Sequence, residues 1–302
     1  KQFLMDKRVV DIFRPLWWLI LNGPILTFRP SKSGKAYQKI WDKDNYGSPL
    51  RRFTVNQSLK LKEKFNSNED IIIDYAMRYG IPEIHKTLDN MMAQGCTKIL
   101  LAPLYPQYAA STTATVKDEV FKWMLKQRWQ PALRTIAPWF DDDNYITALA
   151  NTVKDNLKIN KKPDLLIVSF HGIPKRYFLA GDPYHCHCIK TARLLKEKLK
   201  WPEENILVTF QSRFGPEPWL QPYTDKTIID LAKNGTKNIA ILAPGFISDC
   251  LETLEEINVE ARELFIENGG ENFNYIPCLN DNNYSIKFLE GIVKQNLQGC
   301  VD

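Results

Sequence analysis

Long hydrophobic runs are missing from this sequence of 302 residues. The nearest candidate, residues 15–26 (PLWWLILNGPIL), is interrupted by Asn22, Gly23 and Pro24, and it is shorter than the ~18 apolar residues that a membrane-spanning helix needs. This segment is either a buried helix or an apolar lip that holds a flat hydrophobic ligand or touches a membrane. No signal-peptide pattern follows Lys1. We therefore expect a cytoplasmic protein without a transmembrane helix, and a peripheral location at the inner membrane stays open.

Cysteine and histidine are scarce. Six cysteines spread along the chain lack the density of a disulfide scaffold, which favours a reducing compartment. Residues 185–188 (HCHC) take two of the four histidines and two of the cysteines. This run could bind a soft metal, but C-x-C is not a zinc-finger spacing and no second Cys/His pair lies near in sequence. We favour an exposed loop without a specific ligand.

Blocks of like charge and nucleotide-binding motifs are also absent from the sequence. The net charge is +5 and no Lys/Arg block stands out, so no nucleic-acid partner is expected. Neither a P-loop nor a G-x-G-x-x-G motif follows any predicted strand, which argues against nucleotide use. The mild positive balance would suit an anionic ligand or an anionic membrane surface.

Short runs rich in Ile, Leu and Val alternate with longer amphipathic stretches. Near-continuous apolar strands separated by helices are typical of buried parallel sheets, so the sequence predicts an α/β fold. The predicted strands are residues 70–78, 98–104, 132–137, 164–170, 205–211, 238–243 and 273–278. The predicted helices include residues 83–94, 113–127, 145–156 and 252–268.

Internal similarity predicts two related domains. Residues 81–106 and 224–246 share one plan, in which a helix leads through a Gly-containing turn to a strand and a Pro-bearing loop. We place an N-terminal domain at residues 1–142, a C-terminal domain at 143–285, and a last helix at 286–302 that packs back on the first domain. Lys1 lies inside a helix-like stretch with no strand before it, so we expect the first domain to lack its first strand here.

Reactive side chains follow five of the predicted strands, and ligands of open α/β sheets bind beyond the carboxyl ends of strands. They are Arg78 and Tyr79; Tyr105 and Tyr108; His171; Ser212, Arg213 and Phe214; and an acidic segment at residues 249–260. This set is more typical of a site than of a core. His171 could bind a divalent metal or accept a proton near neutral pH, and a purely structural histidine is the alternative.

The acidic segment is the sharpest local pattern. On a continuous α-helix, Asp249, Glu252, Glu256 and Glu260 would lie within roughly 80° of one another. Such a carboxylate stripe, ~16 Å long, could guide metal ions or protons into a cleft. The alternative is a solvated helix face whose N-terminal acids favour the helix dipole.

Five stretches resemble motifs of the ferrochelatase family, in the form found in Gram-negative bacteria. They are residues 105–113 (YPQYAASTT), 169–177 (SFHGIPKRY), 181–184 (GDPY), 210–225 (FQSRFGPEPWLQPYTD) and 243–257 (APGFISDCLETLEEI). The resemblance extends from about residue 3 to residue 288. It implies two Rossmann-like, chelatase-type domains, each a four-stranded parallel sheet flanked by helices, with a porphyrin bound in the cleft between them.

The same resemblance implies an enzyme, a lyase that inserts Fe²⁺ into protoporphyrin IX to form protohaem in the last step of haem biosynthesis. It implies that His171 and Glu252 form the catalytic and metal-binding pair. Three further carboxylates map to a path for protons or metal, and four positions map to porphyrin contacts. They are Asp249, Glu256 and Glu260 for the path, and Tyr105, Arg78, Trp17 and Leu16 for the porphyrin.

Expectations about cofactors and partners follow from the resemblance too. Some family members carry a [2Fe–2S] cluster on four cysteines, three of them near the C-terminus, where this chain has Cys300 alone. We therefore expect no cluster and no cofactor beyond the substrate Fe²⁺, with zinc insertion as a side activity. The expected partners are protoporphyrin IX and Fe²⁺, with weak peripheral membrane contact and a monomer favoured. A chelatase for coproporphyrin or another tetrapyrrole, a periplasmic-type binding protein, and a non-catalytic porphyrin-binding homologue stay open.

Overall fold

The computed structural model describes residues 1–42, 47–68, 70–160 and 162–299. Helices and parallel strands alternate from residue 84 onward, which confirms the predicted α/β class. The strands are β1 (Lys98–Leu101), β2 (Ala132–Thr135), β3 (Leu165–His171), β4 (Ile206–Gln211), β5 (Asn238–Leu242) and β6 (Asn272–Tyr275). The α-helices are α1 (Gln2–Met5), α2 (Arg14–Ile20), α3 (Leu26–Ile40), α4 (Pro49–Phe65), α5 (Ile84–Ala93), α6 (Thr115–Met124), α7 (Asp143–Ile159), α8 (Lys175–Leu179), α9 (Tyr184–Leu199), α10 (Thr224–Lys233), α11 (Leu251–Leu254), α12 (Arg262–Glu267) and α13 (Asn283–Leu297). Wider π-helical turns occupy Leu21–Ile25, Ala110–Ala114 and Glu256–Ala261, and a short 3₁₀ turn occupies Glu203–Asn205.

The C-terminal half contains the four-stranded parallel sheet that the sequence predicts, in the order β4-β3-β5-β6. Its central strand β3 is covered on both faces, and Leu166, Ile167 and Val168 are fully buried. Burial on both faces explains why this strand is a continuous apolar run rather than an alternating one. The register sets His171 opposite Gln211 at the carboxyl end of the sheet.

The sheet of the N-terminal half has two parallel strands, β1 and β2, within the described residues. The prediction of four strands was therefore wrong for this half. The predicted strand at residues 70–78 forms no ladder, and Met77 alone makes an isolated bridge, to Glu83. Its isoleucines at positions 71–73 are half-buried and line a large cavity instead. An apolar run predicts burial, but a strand also needs a partner to accept its hydrogen bonds.

The last helix, α13, begins at Asn283 after the N-cap Asn282, whose side chain accepts the main-chain N–H of Ser285. It packs on α7 and on α4, which lies in the N-terminal half. At its far end, the Arg134 guanidinium of β2 donates to the carbonyls of Asn296 and Gln298, at 2.6 and 2.9 Å. The division of the chain at residue 142 stays a prediction.

Candidate active site

A large open cavity reaches the carboxyl end of β3 and the loops after β1, β4 and β5, and it also extends along the length of β1. Its volume is about 2310 Å³, well above the roughly 300–1,000 Å³ of ordinary small-molecule pockets. Its walls include the predicted site residues Arg78, Tyr105, His171, Glu252 and Glu256. As expected for an open α/β sheet, residues that follow different strands thus meet at one site although they are far apart in the sequence.

His171, the last residue of β3, is half-buried at the cavity wall. Its Nδ1 lies 2.6 Å from the carbonyl oxygen of Gly172. Because a carbonyl oxygen can only accept, this contact assigns a proton to Nδ1, and in the neutral ring the lone pair is then on Nε2. A Cβ at Gly172 would approach the carbonyl of Gln211 to 3.0 Å and the Trp219 ring to 3.2 Å, so the close crossing of the two strand ends favours glycine there. A lone pair on Nε2 can bind a metal ion or accept a proton.

Glu252 is held near His171 by a residue that the sequence did not single out. The Gln211 side chain donates from Nε2 to the main-chain carbonyl of Glu252 at 2.8 Å, and its Oε1 accepts the hydroxyl of Ser169 at 2.8 Å. The second bond fixes which way the amide points. Gln211 is buried at the end of an apolar strand, and a buried amide at that position is the one signal that could have found it.

Two of the three predicted path carboxylates, Glu256 and Glu260, line the cavity, and so does Glu252 of the predicted catalytic pair. Asp249 does not line it in the described part of the chain. Its carboxylate is buried, where it accepts the Tyr275 hydroxyl and, at 2.6 Å, the amide of Asn280. The path role predicted for Asp249 is therefore not supported by its position, because its oxygens are already engaged inside the core.

The prediction of a common helix face assumed that the acidic segment is one continuous α-helix. The structure divides this segment into three parts. The short helix α11, which contains Glu252, leads into the π-helical turn Glu256–Ala261 and then into α12. In α11 the hydroxyl of Thr253 accepts the main-chain N–H of the N-cap residue, Cys250. The wider turn is of a type that occurs often at functional sites.

Glu256 has a perturbed carboxyl group. Burial raises its pKa, and the charge of Glu252 adds to that rise. The hydroxyl of Ser212, which donates to Glu256 Oε2 at 2.6 Å, and the nearby His171 oppose it without cancelling it. Ser212 adopts a left-handed backbone conformation (φ 64°), which is unusual for serine and is often found at functional sites. A carboxyl group with a raised pKa exchanges protons closer to neutral pH.

The four predicted porphyrin contacts divide into two pairs. Tyr105 and Arg78 line the cavity, and burial raises the pKa of the Tyr105 hydroxyl. The Arg78 guanidinium is also engaged, since its Nη2 lies 2.5 Å from Asp6 Oδ2. Neither Trp17 nor Leu16 lines the cavity within the described residues.

Trp17 and Leu16 do not line the cavity because of the orientation of α2. Trp17 is 2% exposed and its indole N–H donates to the carbonyl of Leu4 at 2.7 Å, so the ring belongs to the core. Leu16 is 51% exposed and faces away from that core. As α2 is placed, the predicted contacts of Trp17 and Leu16 with a porphyrin are not supported.

The HCHC run lies in the first turns of α9, and the prediction of an exposed loop was wrong. Its histidines face different neighbours: His185 stacks on Phe210 and His187 on Phe140. Cys188 is buried and Cys186 is exposed. Across the ranges given above, no group of three or more His, Cys, Asp or Glu side chains is arranged to hold a metal ion.

Comparison with known proteins decides the family. A family model described as Ferrochelatase matches residues 1–297. The chain belongs to the ferrochelatase family. It is 56% identical over 302 residues to the ferrochelatase of Allorhizobium ampelinum, covering 100% of this chain and 88% of that relative. It is 54% identical over 301 residues to that of Agrobacterium fabrum (99% and 88% covered) and 48% identical over 301 residues to that of Brucella ovis (99% and 86% covered).

Solved structures of other chelatases share the fold of this ferrochelatase-family chain. SirB from Bacillus subtilis with Fe³⁺ superposes with a TM-score of 0.58 at 16% identity, covering 85% of this chain and 96% of that one. CbiX, the terminal enzyme for biosynthesis of siroheme in denitrifying bacteria, gives a TM-score of 0.56 at 12% identity, covering 82% and 92%. At these identities the likeness concerns the fold, and it confirms the Rossmann-like, chelatase-type architecture.

The family assignment confirms the resemblance and the predicted class of enzyme, a ferrochelatase-type lyase. Substrates of the ferrochelatase family are a porphyrin and a metal ion. In the part of the chain that the structure describes, no helix has the length and hydrophobicity to cross a bilayer. Cys300 lies outside the described residues, so the expected absence of a [2Fe–2S] cluster stays a prediction.

Proposed function

We propose that this chain inserts Fe²⁺ into protoporphyrin IX to form protohaem, with His171 and Glu252 as the reacting pair. The observation that carries the proposal is the position of His171, whose Nδ1 is bonded to the Gly172 carbonyl so that Nε2 is the free ring nitrogen, in a cavity wall that also contains Glu252. One buried amide, that of Gln211, connects the two strand ends with Glu252. The reaction needs no cofactor beyond Fe²⁺ as the substrate.

Metal insertion breaks two pyrrole N–H bonds, whose protons pass to bases, as Fe²⁺ forms bonds to the four porphyrin nitrogens. A bent macrocycle exposes its nitrogen lone pairs, so a cavity that fits the bent form more tightly than the flat one lowers the barrier. His171 Nε2 accepts a pyrrole proton or binds the incoming Fe²⁺, and Glu252 supplies a second base or ligand. Both roles suit these side chains near neutral pH.

Glu256 and Glu260 continue the carboxylate stripe away from His171 and Glu252. We propose that protons leave, or metal ions arrive, along this stripe. The raised pKa of Glu256 supports the proton route, because a raised pKa brings the uptake and release of a proton closer to neutral pH. Arg176 and Arg213, which also line the cavity, are suited to bind the propionate groups.

We also propose that the protein is a monomer in the cytoplasm that contacts the inner membrane through an apolar patch. The exposed large side chains of this patch are Ile12, Phe13, Leu16, Trp18 and Leu19. Amphipathic surfaces of this kind bind in the headgroup region without crossing the bilayer. We assign to this patch the membrane contact that the sequence suggested for the apolar lip. Trp17 is not part of the patch, because its side chain is buried in the core.

Anaerobic insertion of Fe²⁺ into protoporphyrin IX, followed by absorbance, tests the reaction. The parent protein should turn over, and His171→Ala and Glu252→Gln should each lose roughly 10²–10⁴-fold in kcat, the usual contribution of a general base. His185→Phe is the matched control, since His185 lies on α9 against Phe210 and is outside the cavity wall. It should keep the parental rate.

Three other outcomes would overturn the proposal in different ways. Tight binding of protoporphyrin IX without turnover would identify a non-catalytic porphyrin-binding homologue. A clearly higher kcat/KM for coproporphyrin than for protoporphyrin IX would assign a different tetrapyrrole. Parental activity in His171→Ala would remove His171 from the mechanism.

A further inference from the structure

The segment that contains Tyr105 is tied to helix α9 of the C-terminal half. We name residues 105–110 the tyrosine loop; it follows β1 and lines the cavity through Tyr105 and Gln107. Three hydrogen bonds connect it with α9 and with the residue Asp182 just before that helix. They are Gln107 Nε2–H to Thr191 Oγ1 (3.0 Å), the main-chain N–H of Tyr108 to His187 Nδ1 (3.2 Å) and the main-chain N–H of Ala110 to Asp182 Oδ2 (2.7 Å).

The ring of His187 is held in one plane by stacking. It lies on the ring of Phe140, with a centroid distance of 3.6 Å and an interplanar angle of 8°. In this orientation Nδ1 faces the N–H of Tyr108. Because a main-chain N–H can only donate, Nδ1 has to be an acceptor, and the ring is neutral with its proton on Nε2.

We propose that His187 is a positioning residue for porphyrin binding, whose neutral ring holds the tyrosine loop so that Tyr105 forms part of the cavity wall. The inference rests on the proposed function only in naming the porphyrin as the ligand. His187 itself is outside the cavity lining and acts through the loop. It also accounts for one histidine of the HCHC run, which the metal chemistry leaves unused.

Protonation of His187 would break this contact. A proton on Nδ1 would face the N–H of Tyr108, so a bond would become a repulsion. Burial lowers the pKa of His187 and so favours the neutral ring. The charged groups that face it, Asp141 before α7 and Asp182 before α9, act in the opposite direction, and Phe140 carries no charge.

Two substitutions distinguish the contribution of the stacked ring of His187 from that of its acceptor atom, Nδ1. His187→Phe keeps a ring to stack on Phe140 and removes the acceptor. His187→Asn loses the ring but keeps an oxygen on Cγ, where the histidine has Nδ1, and this acceptor does not titrate. His185→Phe is the matched control, because His185 also has a pKa lowered by burial and also stacks on a phenylalanine, but makes no bond to the tyrosine loop.

The test measures kcat and KM for protoporphyrin IX, its Kd by absorbance titration without metal, and Tm for each variant. His187→Phe should raise KM and Kd roughly 3- to 10-fold, the effect of losing about one hydrogen bond. His187→Asn and His185→Phe should stay within about twofold of the parent. As pH falls from about 7.5 through the pKa of His187, which lies below its ordinary 6.5, Kd should rise more for the parent than for His187→Asn.

A role limited to stability gives a different pattern. It would lower Tm and the active fraction of His187→Phe while KM and Kd stay parental, and that result would overturn the inference. Equal weakening in His187→Asn and His187→Phe would also overturn it, because retaining the acceptor atom would then give no advantage over retaining the ring. A parent that binds protoporphyrin IX without turnover, and more tightly than His187→Phe, would support the inference while refuting the proposed reaction.

The tautomer of the His187 ring can be measured in the parent protein, so this test does not depend on the folding of a variant. The chain has four histidines, so ¹⁵N-detected imidazole spectra of the parent are simple enough to assign. His187 should show an unprotonated Nδ1 and a protonated Nε2 near pH 7. A proton on Nδ1 at that pH would contradict the hydrogen bond from Tyr108 and the inference with it.

Discussion

The side-chain amide of Gln211 donates a hydrogen bond of 2.8 Å to the main-chain carbonyl of Glu252. Gln211 lies opposite His171 in the register of β3 and β4. One buried side chain therefore connects the strand end that carries the histidine with the short helix that carries the glutamate. Because α11 has only four residues, its position depends on such contacts more than on its own helical hydrogen bonds.

Replacing Gln211 by methionine should separate the two members of the pair. The main-chain carbonyl of Glu252 would lose its donor and Ser169 would lose an acceptor, which should cost about 1–3 kcal/mol in the free energy of unfolding. We expect kcat to fall roughly tenfold, since small misplacements of reacting groups are costly. Denaturant unfolding and steady-state kinetics measure both effects.

Gln130→Met provides the control for this substitution. Gln130 also donates a side-chain-to-main-chain bond, to Met124 at 2.9 Å, but in an exposed position. Its change in unfolding free energy should stay within about 0.5 kcal/mol. If both variants keep parental kcat, Gln211 does not position Glu252.

Glu256→Gln should change how stability depends on pH. The folded state raises the pKa of Glu256 above its ordinary 4.5, so the folded protein binds this proton more tightly than the unfolded chain does. The unfolding free energy of the parent therefore falls as pH rises from 4.5 through the folded pKa. The glutamine variant avoids that loss, so its advantage over the parent should grow across this window and then level off.

Urea unfolding at a series of pH values measures the difference. Glu263→Gln, which alters an exposed carboxylate of α12, should show no such trend. A Glu256→Gln variant whose advantage stays constant with pH would refute the raised pKa.

The C-terminal sheet could be predicted because its strands are covered on both faces and so read as continuous apolar runs. Residues 70–78 have the same pattern but lie along the cavity without a ladder, and no local pattern distinguishes the two cases. Apolar periodicity reports burial, whereas a strand depends on a partner supplied by the rest of the fold.

The site could be predicted where position along a strand decides it, as for His171 and Tyr105. It could not be predicted where distant contacts decide it. Asp249 is withdrawn from the cavity by Tyr275 and Asn280, 26 and 31 residues further along the chain. The adjacent Trp17 and Trp18 point in different directions on α2, and only the packing shows that the first is the buried one.

Lys39→Met should loosen helix α3 from the acidic segment. Lys39 Nζ lies 2.8 Å from Glu255 Oε1, and the glutamate side chain is 8% exposed while the lysine is 54% exposed. Removing the lysine leaves a buried carboxylate without this cation, which favours separation of α3 from α11. Hydrogen exchange should become faster in α3.

Lys35→Met, one turn earlier on the exposed side of the same helix, is the control and should leave exchange unchanged. Equal exchange in the parent and in Lys39→Met would show that other contacts hold α3 in place.

Membrane contact should depend on Trp18 and Leu19, which are 53% and 63% exposed. Replacing both by serine removes apolar area that would enter the headgroup region, and partitioning to anionic vesicles should fall roughly tenfold or more. Leu125→Ser with Trp129→Ser is a matched pair, with one leucine and one tryptophan of comparable exposure (81% and 59%) outside α2. Trp17→Ala is unsuitable, because it would open a cavity in the core.

Sedimentation with vesicles compares the two pairs at equal protein concentration. A loss confined to Trp18 and Leu19 would place the membrane surface on α2, at the end of the chain that also supplies the neighbouring apolar side chains Ile12 and Phe13. Equal losses in both pairs would mean that any exposed apolar group contributes, and the α2 surface would then have no special role. Unchanged binding in both pairs would mean that the net charge of +5, and not the apolar patch, attracts the protein to vesicles. Added salt would then abolish the binding, because it screens charges.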